Sequence, residues 1–575
     1  MKHFSRCCCL LVSILIVSCA PRMTEDQKFV SLAHNFIESY LALAPETATQ
    51  LGDHHHDAHL GDYSLAGVQK GAAFARKYLD SLAMIRTEGL NSTNQIDYKI
   101  LKTNLEGWLF AVDTLKEHEW NPLNYNPGGA IYSLLAREFA PLRDRLMSVK
   151  GRLEDIPGVV AAAKANLKNP PHVHVETAIQ QNAGTIGLIR DELKTWIDKE
   201  PSLKDSLAPA QAAAIAALES YGKWLQEEVL PKASGDFRLG SGKYERKLAF
   251  SLESDMSKEE ILKNAEDDLR STQEALYQTA LPLYNKFFPA VKDPAKLEDR
   301  RAVIKGVLNR LAESHPTNDD IVEKAMQDLK LTTDFVRTNN LMTVPETPVK
   351  AIVMPEFQRG VATAYCDAAG PLEKNGETFF AISPTPKDWT KERVGSFFRE
   401  YNDYMLHDLT IHEAMPGHYL QLIHAHEFNA PTKIRAIFAN GTFVEGWATY
   451  AEQLMAEKGY GGPEVKMQQL KMRLRLIINA IIDQKIHTAS MTEGEALALM
   501  MNEGYQEEGE AAGKWRRACL TSTQLSTYYV GNLELNGLAK AYMAKHPDAS
   551  MKSMHDAILS LGSPAPKYIK ESLGL

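Results

Sequence analysis

Residues 412–418 read His-Glu-Ala-Met-Pro-Gly-His, and residues 445–452 read Glu-Gly-Trp-Ala-Thr-Tyr-Ala-Glu. Two imidazoles, a carboxylate beside the first, and another carboxylate a helix later are the parts a catalytic zinc site requires. The spacing of the histidines is the difficulty. On a regular α-helix, residues four apart differ by about 40° and can meet one ion, whereas residues six apart differ by about 240° and point away from each other. Pro416 and Gly417 supply a remedy. Proline has no N–H to return to the carbonyl of His412 and its ring clashes there, while glycine tolerates a strained backbone. The pair therefore predicts a distorted or wide turn at Met415 to Gly417 that absorbs two residues and puts both imidazoles on one face.

With His412 and His418 as metal ligands, Glu413 projects toward the open coordination position, where a general base belongs. The third ligand is expected from Glu445, at the start of a helix running through Tyr450. Glu452, seven residues on and two turns along the same face, is placed to hold a ligand imidazole by its second nitrogen.

The surrounding chain has 575 residues, 44% of them hydrophobic and 24% charged, with a formal charge of -9. That composition suits a globular protein with a mildly acidic surface and a sizeable core. No basic stripe or short motif indicates nucleic acid. The N-terminus reads as a processing signal. Lys2, His3 and Arg6 precede an apolar run from Cys7 to Val17 that is short of the roughly 20 residues of a spanning helix. It ends in Ile16-Val17-Ser18-Cys19, which resembles a bacterial lipobox. The resemblance implies a signal over 1–18 and a membrane anchor through lipid on Cys19, at the bacterial cell envelope. Beyond these, only Cys366 and Cys519 remain; they read as one bridge or as two buried free thiols, not as a disulfide framework.

Helical periodicity dominates. Thr24-Glu25-Asp26-Gln27 is a capping box ahead of Phe29, Leu32, Ala33 and Phe36, and Thr492 to Glu495 is another. The breaker cluster from Pro231 to Gly242 marks a boundary between an N-terminal helical lobe, 19–235, and a second lobe, 236–575. Between about 349 and 383 the pattern turns β-prone, with Asn375-Gly376 as a turn signal, and predicts a small antiparallel sheet just before the histidine motif.

His-Glu-Ala-x-Pro-Gly-His-x-x-Gln, here His412 to Gln421, and Glu-Gly-Trp-Ala-x-Tyr-Ala-Glu, here Glu445 to Glu452, resemble the bacterial family named domain of unknown function 885, grouped with zincin-like metallopeptidases. Asp236 to Gly240 and the tail Gln524-x-x-x-Tyr528-x-x-Gly531 extend the likeness. The resemblance implies a mainly α, two-lobed, zincin-like metallopeptidase fold around a deep cleft, with zinc as cofactor and short peptides as substrate. It carries His412, His418 and Glu445 over as ligands and Glu413 as catalytic base. The tail departs from the family's Pro-Gly-Gln, having Ser522-Thr523-Gln524.

An oxyanion donor is still needed. Tyr528 or Tyr529 offers a phenol, and His487, four residues after Asp483, an imidazole; Arg517 is a further candidate for gripping a substrate carboxylate. The strand near Ala364-Tyr365 is suited to pairing with an extended peptide. The His54-His55-His56 cluster reads as a solvated loop, since adjacent side chains diverge. A catalytically silent binding lipoprotein and a zinc hydrolase of another amide remain as alternative readings, and the oligomeric state is left open.

Overall fold

The computed structural model describes residues 23–575 apart from 292–293, 298, 348, 355–362, 374–375, 388 and 429. The signal and Cys19 lie outside the described residues. Among those described, no helix is long and apolar enough to cross a membrane.

Helices dominate, and several begin where their capping residues predict. Thr24 closes a full capping box at the start of α1, Glu25–Leu43, and Thr492 closes another, each satisfying two amide donors that a helix start leaves unpaired. α1 buries Phe29, Ala33 and Phe36. Those side chains share one core with Ile434, Ala565 and Tyr568 from the far end of the chain, and each such aromatic contributes about 1.5–3 kcal/mol by leaving water. A second core gathers residues from Leu60 to Leu225, including those of α2, Gly128–Ala136, and α3, His172–Gly187. The expected boundary near 235 falls in a helix-free stretch from Ala233 to Gly240. This stretch is pinned at both ends, by Gly235 N–H to Pro170 O at 3.3 Å and Gly240 N–H to His487 O at 3.0 Å. It leads into α4, Ser241–Leu252.

The small sheet has the strands β1, Lys350–Val353, β2, Ala364–Asp367, and β3, Phe379–Ile382, in the order β1-β3-β2. It is mixed, which corrects the antiparallel expectation. β2 runs antiparallel to β3, as a reversal between them requires, but β1 lies on the far side of β3 and pairs with it in parallel. Two successive reversals give β1 and β3 the same direction, so only a β1–β2 pairing would have made the sheet antiparallel throughout.

Phe380 and Ile382 of β3 are fully buried against the helices that bear the two motifs. These are α5, Asp403–Glu413, α6, His418–Glu427, and α7, Gly441–Glu457. α8, Gly462–Ala489, runs behind them, followed by α9, Glu508–Leu520, and α10, Ser526–Lys545. α7 and α10 cross at Gly446 and Gly531, where a methyl group on Gly446 would sit 2.6 Å from the Gly531 backbone. Only glycine permits backbones that close. Cys366 and Cys519 are both free thiols.

Candidate metal centre

The chain turns a corner between the two histidines. α5 ends at Glu413 and α6 begins at His418, so the wide turn expected at Met415 to Gly417 is a helix-to-helix junction. Within it the Met415–Pro416 peptide is cis. The Gly417 N–H reaches back to Ile411 O at 2.8 Å. A Cβ on Gly417 would lie 1.9 Å from the His412 carbonyl oxygen, closer than any side chain can approach. From α7, Trp447 donates its indole N–H to Pro416 O at 2.9 Å. The corner brings the two imidazole rings to a centroid separation of 4.7 Å, nearly perpendicular at 86°.

Glu445 meets both. Its Oε2 lies 3.6 Å from His412 Nε2 and 3.5 Å from His418 Nε2, and the three donor atoms all lie within 4.8 Å of one another. Donors about 2.0–2.1 Å from a tetrahedral ion stand about 3.3–3.5 Å apart. The two distances from Glu445 are close to those dimensions. Glu445 Oε2 is also buried without a hydrogen-bond partner among the described residues, a costly state that a cation relieves. The residues therefore fit a metal ion, which His412, His418 and Glu445 could hold.

The electrostatics agree. Burial works against an ionised Glu445, but the two imidazoles beside it prevail and hold the carboxyl well below its usual range. Burial likewise works against a charged His412, and Glu445 and Glu452 outweigh it. Such a concentration of opposed charge requirements is typical of functional sites. Glu413 lies close enough to feel these three charges and accepts the Cys366 N–H from β2 at 3.1 Å. Removal from water raises its pKa, and the two imidazoles partly offset this.

A model of the family described as "Bacterial protein of unknown function (DUF885)" matches residues 45–573. The chain belongs to the DUF885 family. Two solved structures, each described as a "putative lipoprotein", resemble this DUF885 protein. That from Shewanella oneidensis, of unknown function, is 33% identical with a TM-score of 0.81 over 95% of this chain and 100% of its own. That from Colwellia psychrerythraea is 17% identical with a TM-score of 0.79 over 96% and 99%. An M32 carboxypeptidase from Deinococcus radiodurans R1, 11% identical over 96% of both chains at a TM-score of 0.41, is too remote to carry fold or function across. No protein of curated function matches the DUF885 chain.

The remaining candidates each have partners of their own. Tyr528 is half-buried and its hydroxyl accepts from the Arg517 guanidinium at 3.1 Å, the same Nη2 donating to Gln524 Oε1 at 2.8 Å. Tyr529 is fully buried and donates to Asp268 at 3.1 Å. His487 is not brought to the cluster by any of its bonds. Its Nε2 donates to the carbonyls of Ala518 and Thr521, while Asp483 accepts from Thr523 and Ser526. In the His54 loop the side chains part as expected, His54 to Asp57 and His55 to Asp53.

Two features of this DUF885 protein escaped the sequence. Arg137, just past α2, clamps the strand behind Glu413, donating to Asp367 at 2.5 Å, Ala368 O at 2.6 Å and Glu377 O at 2.8 Å. Lys514 on α9 is mostly withdrawn from water, 3.9 Å from Glu510. Burial pushes its pKa down to about 8, and the charge of Glu445 is close enough to act against that. The only sequence signal was its position three residues before Arg517.

Proposed function

We propose that this protein is a metal-dependent hydrolase of amide bonds, zinc-loaded and acting on short peptides at the bacterial cell envelope, where the lipobox-like Cys19 anchors it. The observation that carries the reading is the convergence of His412, His418 and Glu445 on one point with Glu413 beside it. A bound zinc ion would supply Lewis acidity and make water nucleophilic near neutral pH.

The chain's own groups do the rest. Glu452 holds His412 so that Nε2 presents its lone pair to the cluster. Glu413, shielded from water and hence more basic than an exposed carboxylate, accepts the proton of the attacking water and passes it to the leaving amine. β2 is an edge strand, and Cys366 turns its N–H away from β3, which suits an extended peptide laid alongside. Arg137 keeps that edge in place.

A second reading is a binding lipoprotein without catalysis, favoured by the lipoprotein description of both solved relatives and the unknown function of one of them. Metal content and cleavage of a peptide library by wild type, Glu413→Ala and His418→Ala separate the two. A wild type that holds metal and cleaves, with Glu413→Ala holding metal but inactive, supports hydrolysis. Undiminished cleavage in Glu413→Ala removes the mechanism, and a wild type that binds peptides without cleaving them selects the second reading.

A further inference from the structure

A cavity of about 260 Å³ lies where the N-terminal helices meet the end of α8 and the segment after α9, and none of His412, Glu413, His418 or Glu445 lines it. Its walls include the rings of Trp120 and Phe237, the imidazoles of His174 and His487, and the Lys247 and Glu117 side chains. Phe237 comes from the Asp236 to Gly240 stretch singled out in the sequence, so that motif finds a place here.

Three imidazole nitrogens of this wall have no hydrogen-bond partner among the described residues. His174 is 1% exposed, yet neither ring nitrogen has a hydrogen-bond partner among the described residues. The Leu520 carbonyl is near enough to favour protonation of His174 but lies outside hydrogen-bond geometry. Burial prevails and pushes the pKa down to about 4. The neutral ring thus offers one N–H and one lone pair. His487 is similar. Its Nε2 lies 3.1 Å from Ala518 O and 2.8 Å from Thr521 O, so Nε2 carries the hydrogen and Nδ1, buried and without a partner, is an acceptor. Buried polar groups in folded proteins are paired as a rule. Unpaired ones lining a cavity of molecular size point to a ligand.

Charge narrows the ligand class. Lys247 Nζ lies 3.1 Å from Glu117 Oε1 and 2.9 Å from Ser522 Oγ, and both charged side chains keep about a quarter of their exposure, 25% and 27%. A purely anionic or purely cationic guest would leave one of them mismatched, whereas a zwitterion complements both. Trp120 and Phe237 supply apolar ring surface for a side chain. We propose that this cavity is a second binding site, for a small zwitterion of the amino-acid or dipeptide class. Its carboxylate points to Lys247, its ammonium to Glu117, and its apolar side chain lies against Trp120 and Phe237.

The site goes beyond the hydrolase reading, because binding here needs neither metal nor Glu413. Titration calorimetry on the full chain carrying Glu413→Ala, which cannot consume a dipeptide by the proposed route, tests it with L-phenylalanine and glycyl-phenylalanine. Both are expected to bind with Kd in the millimolar range or tighter. 3-Phenylpropionate and phenethylamine, each lacking one charge, are expected to bind at least about tenfold more weakly, and Lys247→Met and His174→Phe to weaken the zwitterions by at least about as much. Absence of zwitterion binding, equal binding of the four probes, or unchanged affinity in Lys247→Met would overturn the proposal. Should His174→Phe fail to fold, the probe series and Lys247→Met still decide it.

Discussion

Nδ1 of His412 lies 2.5 Å from Oε1 of Glu452, a contact that assigns the ring hydrogen to Nδ1 and leaves the Nε2 lone pair facing Glu445. Such outer partners orient a ligand imidazole and raise its basicity. Glu452→Gln should retain the fold and weaken metal affinity about 10–100-fold, read by chelator competition. Affinity equal to wild type would show that the contact has no part in metal binding.

Glu413→Gln separates base from ligand. It removes the proton acceptor and keeps the shape, so bound metal should stay stoichiometric while peptide turnover falls about 10²–10⁴-fold. Loss of metal together with activity would instead place Glu413 among the ligands.

Gly417→Ala should break the corner. Its methyl group has to displace the backbone of Ile411 and His412, which separates the imidazoles. The expected result is metal loss with a destabilisation of about 1–3 kcal/mol, the range for overpacking, measured by denaturant unfolding and metal analysis. A variant that binds metal normally would mean the corner relaxes without cost to the site.

Arg137→Ala frees the strand behind Glu413. Three acceptors lose their donor, and a loss of about 1–3 kcal/mol is expected for polar groups left unsatisfied. Hydrogen exchange at 364–367 should accelerate and KM should rise more than kcat falls. Unchanged exchange there would remove Arg137 as the clamp.

His555 predicts a pH window for stability. It is fully buried, accepting from Tyr450 at 2.8 Å and donating to Leu341 O at 2.8 Å, and burial pushes its pKa from 6.5 down to about 4. Between those values the unfolded chain binds the proton and the folded one does not, so stability is fully present above 6.5 and declines as pH falls toward about 4. The loss attributable to this group is at most about 3 kcal/mol. Urea unfolding across that range should show a shallower decline in His555→Gln than in wild type; parallel curves would assign the acid sensitivity elsewhere.

Local signals in the sequence carried the helices and the residues of the cluster. Thr24 and Thr492 announce their helices because a cap is decided within four residues. The Pro416-Gly417 pair announced a break between His412 and His418 for the same reason, though not its extent. Whether two helical segments bend or separate depends on what packs against them, here the Trp447 indole from another helix. The partner of β1 was illegible because a strand of four residues carries no mark of its neighbour. Arg137 and Lys514 were illegible too, since their positions beside β2 and near Glu445 arise only when distant helices pack. His487 misled in the opposite sense. Its spacing from Asp483 suggested an oriented imidazole, but the carbonyls of Ala518 and Thr521 claim its Nε2.

The crossing of α7 and α10 reaches further than packing. Gly446 directly follows Glu445, and Gly531 stands one turn beyond Tyr528. With no room for a methyl group at the contact, neither helix can slide by one residue without forcing a side chain into the other's backbone. The depth of Glu445 in its cluster is thus measured from the C-terminal tail. A substitution at Gly531, remote in sequence and bearing no donor atom, is expected to shift Glu445 against His412 and His418.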